Sequence, residues 1–143
     1  MTMIRAAARP MLAAMFVAGG FNSVVDPKRV AAKAEPVVGA VADRVPGVPK
    51  DAETAIRLNG AVQLGAGVAL ALGLMPRASA LALAGTLVPT TYAGHPFWEI
   101  KDPADRAQQR IHFLKNLAMF GGLLFAATEH RKKRTKRSRW SCS

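Results

Sequence analysis

Two groups of side chains in this sequence could do chemistry. The run Gly94-His95-Pro96-Phe97-Trp98-Glu99 sets an imidazole, two aromatic rings and a carboxylate side by side. Asp105, Gln108, Gln109, His112, Lys115 and Asn116 follow at spacings that share one helix face. Imidazole and ammonium donors beside aromatic rings could hold the carbonyl of a quinone. His95 and His112 could instead be axial ligands to a haem iron, although no CxxCH or other attachment motif accompanies them. A plainer alternative makes Trp98 an interfacial aromatic, Lys115 a snorkelling cation and Asn116 a helix-to-helix hydrogen-bond donor. The candidate ligand-binding set is His95, Trp98, Glu99, His112, Lys115 and Asn116. No catalytic group, metal site or resident cofactor is expected, with quinone the one candidate ligand.

The elements that must position these groups are apolar. Four charge-poor stretches, 4–25, 58–75, 78–98 and 113–128, approach the roughly 20 residues that a helix needs to cross a hydrocarbon core. Neither 58–75 nor 78–98 contains Asp, Glu, Lys or Arg. The expected fold is an all-α membrane protein, a four-transmembrane-helix bundle over residues 1–130. Arg5 and Arg9 ahead of 10–21 imitate a signal peptide, but Phe21-Asn22-Ser23 offers no small-x-small cleavage site, so an uncleaved span is expected. Asp26-Pro27 ends the first span, and the 26–57 connection reads as one or two short amphipathic helices interrupted by Pro36 and Gly39. Asp51 or Thr54 is placed to cap the next helix. Pro76-Arg77 is almost a bare turn, so spans two and three are antiparallel neighbours. Asp102-Pro103 reads as a helix start. Pro89 predicts a kink in span three, with Thr86 or Thr90 satisfying freed backbone groups.

Lys115 is the pivotal residue of the outer group. Thirteen residues, 116–128, separate it from Glu129, which puts it at the membrane boundary. An ammonium turned inward there needs a partner or water, and Glu99, Asp102 and Asp105 are near in sequence. The same reading expects His95, Trp98, His112 and Asn116 to converge around it.

The chain has 143 residues and a formal charge of +11. Seven of its twenty Lys/Arg are Arg131, Lys132, Lys133, Arg134, Lys136, Arg137 and Arg139, which leaves thirteen against nine acids elsewhere. The basicity therefore belongs to the 131–143 tail, expected to be disordered, cytoplasmic and bound to anionic lipid headgroups. No nucleic-acid motif accompanies it, so nucleic acid is not an expected partner. With four spans the N-terminus, Arg77 and the tail share one side, which the positive-inside bias assigns to the cytoplasm of a cell membrane. One cysteine, Cys142, allows no internal disulfide and no CxxC chemistry.

Small residues should let the helices meet, because lipid is as apolar as leucine and gives no hydrophobic drive between spans. The predicted packing positions are Ala61, Gly65, Ala69 and Gly73 in span two, Ala14 and Ala18 in span one, and Gly121 and Gly122 in span four.

Several of these segments together resemble a known family. Gln63-Leu64-Gly65-Ala66-Gly67 through Leu72-Gly73-Leu74, then Pro76-Arg77-Ala78, look like its glycine-rich helix and tight turn. His95-Pro96-Phe97-Trp98 and the run from Phe113-Leu114-Lys115-Asn116 to Gly121-Gly122-Leu123-Leu124 resemble its two signatures, with Arg9 and Gly19-Gly20 in span one. Over residues 5–128 the chain is similar to the DoxX family of small four-helix membrane proteins, and its Ala/Val/Gly/Arg-rich composition suits an actinobacterial member. Many members of that family carry glutamate where this chain has Gln63, which speaks against a proton-coupled role for that helix. The resemblance implies links to terminal quinol oxidation in archaea and to mycobacterial assemblies in which the protein anchors soluble redox enzymes. Two functions follow. One is a noncatalytic membrane subunit that docks protein partners of an oxidoreductase system. The other is a quinone- or lipid-binding redox protein with a pocket at the outer ends of spans three and four. The lack of a flavin fingerprint or cysteine cluster favours the first.

Overall fold

The computed structural model describes residues 3–128 and is all-helical over them. The expected headgroup-binding tail and Cys142 lie outside the described residues. Five helices follow in order: α1 (Met3–Val25), α2 (Lys28–Ala42), α3 (Ala52–Ala71), α4 (Pro76–Gly94) and α5 (Pro103–Thr128). Helices α1, α3, α4 and α5 alternate in direction and lie side by side in that order, while α2 packs across α3 and α4 at one end. By length and composition α1 and α5 can cross a membrane, and only 17% and 11% of their apolar windows are buried. The core helix of a soluble protein would be mostly buried; these two are apolar on the outside.

The helix ends obey the local chemistry of the sequence. Asp51 caps α3, its Oδ2 accepting from Thr54 N at 2.8 Å. Asp102 caps α5, accepting from the amides of Ala104 and Asp105 at 2.9 and 3.0 Å. Pro96 ends α4 early, because the residue before proline is driven from helical geometry. Phe97 and Trp98 therefore sit in the turn after α4 rather than in a span. The first connection holds a single helix, α2, which runs through Pro36 and Gly39 and buries Ala34.

Helix α3 ends in a paired backbone cap. Gly73 N donates to Leu70 O at 3.0 Å and Leu74 N to Ala69 O at 2.7 Å, with Gly73 at φ +72°. Only glycine adopts that φ without strain. A Cβ there would also come within 2.8 Å of Arg9 Nη1. Gly73 is thus a turn residue and not the end of a packing stripe.

The rest of the expected stripe is corrected as well. Ala61 and Gly65 are exposed, Ala69 is half-buried, and a Cβ on Gly65 would meet nothing within 4 Å. The buried face of α3 is Ile56, Gly60, Gln63, Gly67 and Leu70, which step by four and three. It meets Ala13, Phe16 and Gly20 of α1, while Ala14 and Ala18 face outward. A Cβ on Gly20 would lie 2.6 Å from Gly60 O, and one on Gly60 would lie 2.9 Å from Gly20 O. The two backbones touch there. On α5 Gly121 faces open space, and Gly122 contacts Leu12. The remaining core joins Leu70, Ala80, Leu83, Ala84, Leu87 and Leu123.

Gly60→Leu should therefore cost on the order of 1–3 kcal/mol by overpacking, whereas Gly65→Leu should leave the melting temperature in detergent near wild type. A second prediction concerns pH. Hydrogen bonds from the Thr54 side chain and backbone hold the Asp51 carboxyl below its ordinary value of 3.8. A depressed folded pKa stabilises the fold above the unfolded value, and that contribution fades as pH falls through the folded one. Asp51→Asn keeps a capping group without the titration. Its melting temperature should decline less than wild type on acidification.

Candidate functional site

The polar side chains that join the helices meet on α4. Thr90 Oγ1 accepts from Asn59 Nδ2 and from Gln63 Nε2, each at 3.2 Å, and donates to Thr86 O at 2.7 Å. Thr91 Oγ1 accepts from Asn116 Nδ2 of α5 at 3.0 Å. Successive residues of a helix point about 100° apart, so these neighbouring threonines serve helices on different sides of α4. Thr86 Oγ1 donates to Leu83 O at 2.9 Å. Pro89 frees the carbonyl four residues before it, that of Gly85. The two hydroxyls thus bond carbonyls on either side of the freed one and not that carbonyl itself.

Beyond the threonines lies the turn that the sequence marks for chemistry. His95 stacks on His112, with ring centroids 5.2 Å apart and an interplanar angle of 20°. His95 Nδ1 pairs with Gln109 Oε1 at 2.7 Å. With the amide oxygen accepting, Nδ1 carries the proton and Nε2 remains an acceptor in the neutral ring. Trp98 turns to other partners and forms an aromatic cluster with Tyr92, Phe97 and Phe113 at centroid distances of 5.4, 5.2 and 6.3 Å. Stacked imidazoles present ring faces to each other, not nitrogen lone pairs, so this pair does not clasp a metal between them.

The expected convergence on Lys115 does not occur. Lys115 and Glu99 are exposed, and Lys115 forms no ion pair among the described residues. Asn116, the next residue, is buried against Thr91. One helix step separates an outward ammonium from an inward amide. The long aliphatic stem lets the charge stay in a polar layer while the amide satisfies a hydroxyl inside.

Two concavities flank α4. A groove of about 250 Å³ between α4 and α5 is lined by Tyr92, Phe113, Phe120 and Asn116 with aliphatic neighbours. A larger cavity of about 570 Å³ opens under α2, between the start of α3 and the end of α4. His95, Asn59, Thr90 and Lys33 are polar members of a wall built mainly of valine and alanine. Of the six candidate ligand-binding residues, Asn116 lines the groove and His95 lines the larger cavity.

The DoxX family model matches residues 4–96. The chain belongs to the DoxX family. No curated protein and no solved structure matches it. The matched region runs from α1 to the histidine turn and stops before α5, so the Lys115-Asn116 and Gly121-Gly122 signature lies outside it. DoxX membership, apolar outer faces and two span-length helices together make this a membrane protein.

Asn59 is the residue of this DoxX chain that the sequence reading passed over. An asparagine in an otherwise apolar span is a signal in itself, because a buried amide in lipid must find a partner. Its partner, Thr90, is 31 residues away and invisible in local pattern. The Asn116–Thr91 bond gives a direct test. Asn116→Ala should destabilise the protein by on the order of 1 kcal/mol, and pairing it with Thr91→Val should add little further. Lys115→Met should leave the detergent melting temperature unchanged. Equal loss in both single variants at 115 and 116 would contradict the outward placement of the lysine.

Proposed function

We infer that the chain crosses the membrane four times, through α1, α3, α4 and α5, with both termini in the cytoplasm. Helices α3 and α4, at 20 and 19 residues, reach about 30 Å. Their mean hydropathy is lowered most by Arg57 and Arg77, which stand near the helix starts, and then by Asn59, Gln63, Pro89 and the threonines. Asn59 and Gln63 bond Thr90 and Asn116 bonds Thr91, while Val68, Leu81 and Val88 face outward. Arg9 and Arg77 lie at the end where α5 leads into the basic tail, which the positive-inside bias assigns to the cytoplasm.

Within that membrane the chain acts as a noncatalytic subunit that docks protein partners of a membrane-associated oxidoreductase system. One observation carries this reading. The polar residues buried as a whole among the described ones are Gln63, Ser79 and Asn116, all neutral and each spent on a hydrogen bond within the bundle, and the buried Nε of Arg9 lies at the bundle end near Gly73. An interior of satisfied amides and hydroxyls holds helices together and moves neither protons nor electrons. A second reading, quinone binding, draws on the α4–α5 groove, whose Tyr92, Phe113 and Phe120 suit a planar ring. His95 and His112 do not line that groove, so a quinone carbonyl there would rely on Asn116 and Thr91.

Membrane-impermeant maleimide should label Cys142 only after cells are opened; labelling of intact cells would reverse the topology. Mild-detergent purification of the full chain should bring down a soluble oxidoreductase, and changing the seven tail Lys/Arg to Gln should reduce its recovery. Quinone absorbance in the purified protein, with no protein partner, would instead favour the second reading.

A further inference from the structure

The cavity under α2 has a composition that selects among ligands. Val30, Val38 and Val41 of α2 face Ile56, Leu58 and Val62 of α3 across about 570 Å³. That volume lies within the usual range of small-molecule sites, about 300–1,000 Å³. Among the described residues no Phe, Tyr or Trp and no acidic side chain lines it, and the one imidazole, His95, is already stacked on His112. A planar ring finds little stacking surface there, and a flexible aliphatic chain finds branched aliphatic walls over most of its length.

The polar lining is unevenly committed. Asn59 and Thr90, about 10 Å along α3 from its start, bond each other, and the Thr90 proton is already given to Thr86 O. That pair does not require a ligand headgroup. Lys33 is exposed and lines the cavity from α2, so it stands at the mouth, and it is the one charged residue in the lining. His95 is the other lining residue with a basic group, and its Nδ1 is held by Gln109. An anionic head at the mouth meets an ammonium and no carboxylate.

We propose that this cavity binds a single-chain anionic amphiphile, its aliphatic chain between α2 and α3 and its carboxylate or phosphate head at Lys33. A fatty acid and a lysophosphatidic acid share that chemistry. Helix α2 is the wall that makes the site, since it contributes the valines and the cation together. The proposal does not depend on whether the chain docks an oxidoreductase.

The test uses the full-length chain in phosphatidylcholine nanodiscs with palmitic acid bearing a mid-chain diazirine. After irradiation, mass spectrometry should place adducts on α2 and α3, near Val38, Val41 and Val62. Unlabelled palmitate or lysophosphatidic acid should compete at about tenfold lower concentration than palmityl alcohol, the ratio expected for one contact to a charged group. The better of the two acids identifies the head. Lys33→Gln should abolish that preference while adducts persist. Val62→Trp should fill the cavity and remove them, and Val38→Trp on the opposite wall repeats the test if the first variant does not fold. Adducts confined to outward residues of α5 such as Leu114 and Phe125 would overturn the proposal. So would equal competition by palmityl alcohol, or stronger competition by a neutral short-chain quinone, on the wild-type protein.

Discussion

Everything in this bundle hangs on how α4 shares its hydroxyls. Thr90 and Thr91 sit next to each other and reach different neighbours, Thr90 to Asn59 and Gln63 of α3, Thr91 to Asn116 of α5. Between apolar helices in lipid there is no hydrophobic drive to associate, so such bonds and close packing supply the specificity. Each bond is modest in free energy. Their value lies in direction, because an amide left without a partner in an apolar layer costs more than the bond contributes.

Close backbone contact does the corresponding work between α3 and α1. At Gly20 and Gly60 the helices approach until a methyl group would not fit. Helix α3 therefore has two kinds of neighbour: α1 held by missing side chains, and α4 held by polar ones. The same face carries both, with Gln63 sitting between Gly60 and Gly67. At its far end Arg9 of α1 reaches Gly73, so the turn into α4 is set by glycine geometry and by α1 together.

Helix α2 changes what the bundle can do. With it the end of α3 and α4 carries a half-open, mainly aliphatic cavity with a cation at the mouth. Pro27 is fully buried at its start, which anchors the entry to α2 against the bundle. A short amphipathic segment has thereby become part of a site.

Much was legible from the residues alone. Long apolar stretches imply helices, and Asp51 and Asp102 cap the helices that follow them, because these effects act within a turn of backbone. Pro76 instead belongs to the first turn of α4 rather than to a bare turn, and Pro96 ends α4 short of the expected Trp98. The alternating direction of the helices follows from short connections, and the DoxX resemblance was carried by contiguous motifs. Which stripe of α3 faces a neighbour was not legible. Ala61, Gly65, Ala69 and Gly73 form the cleaner small-residue pattern, whereas the true face includes Gln63, a residue that looks too polar to bury until Thr90 is placed against it. The direction of Lys115 was undetermined for the same reason: neighbouring Lys115 and Asn116 point to different environments, and only the position of Thr91 decides which one turns inward. Local chain chemistry is read within a few residues. A partner 25 to 31 residues away is chosen by the packing of whole helices, and that choice belongs to the tertiary structure.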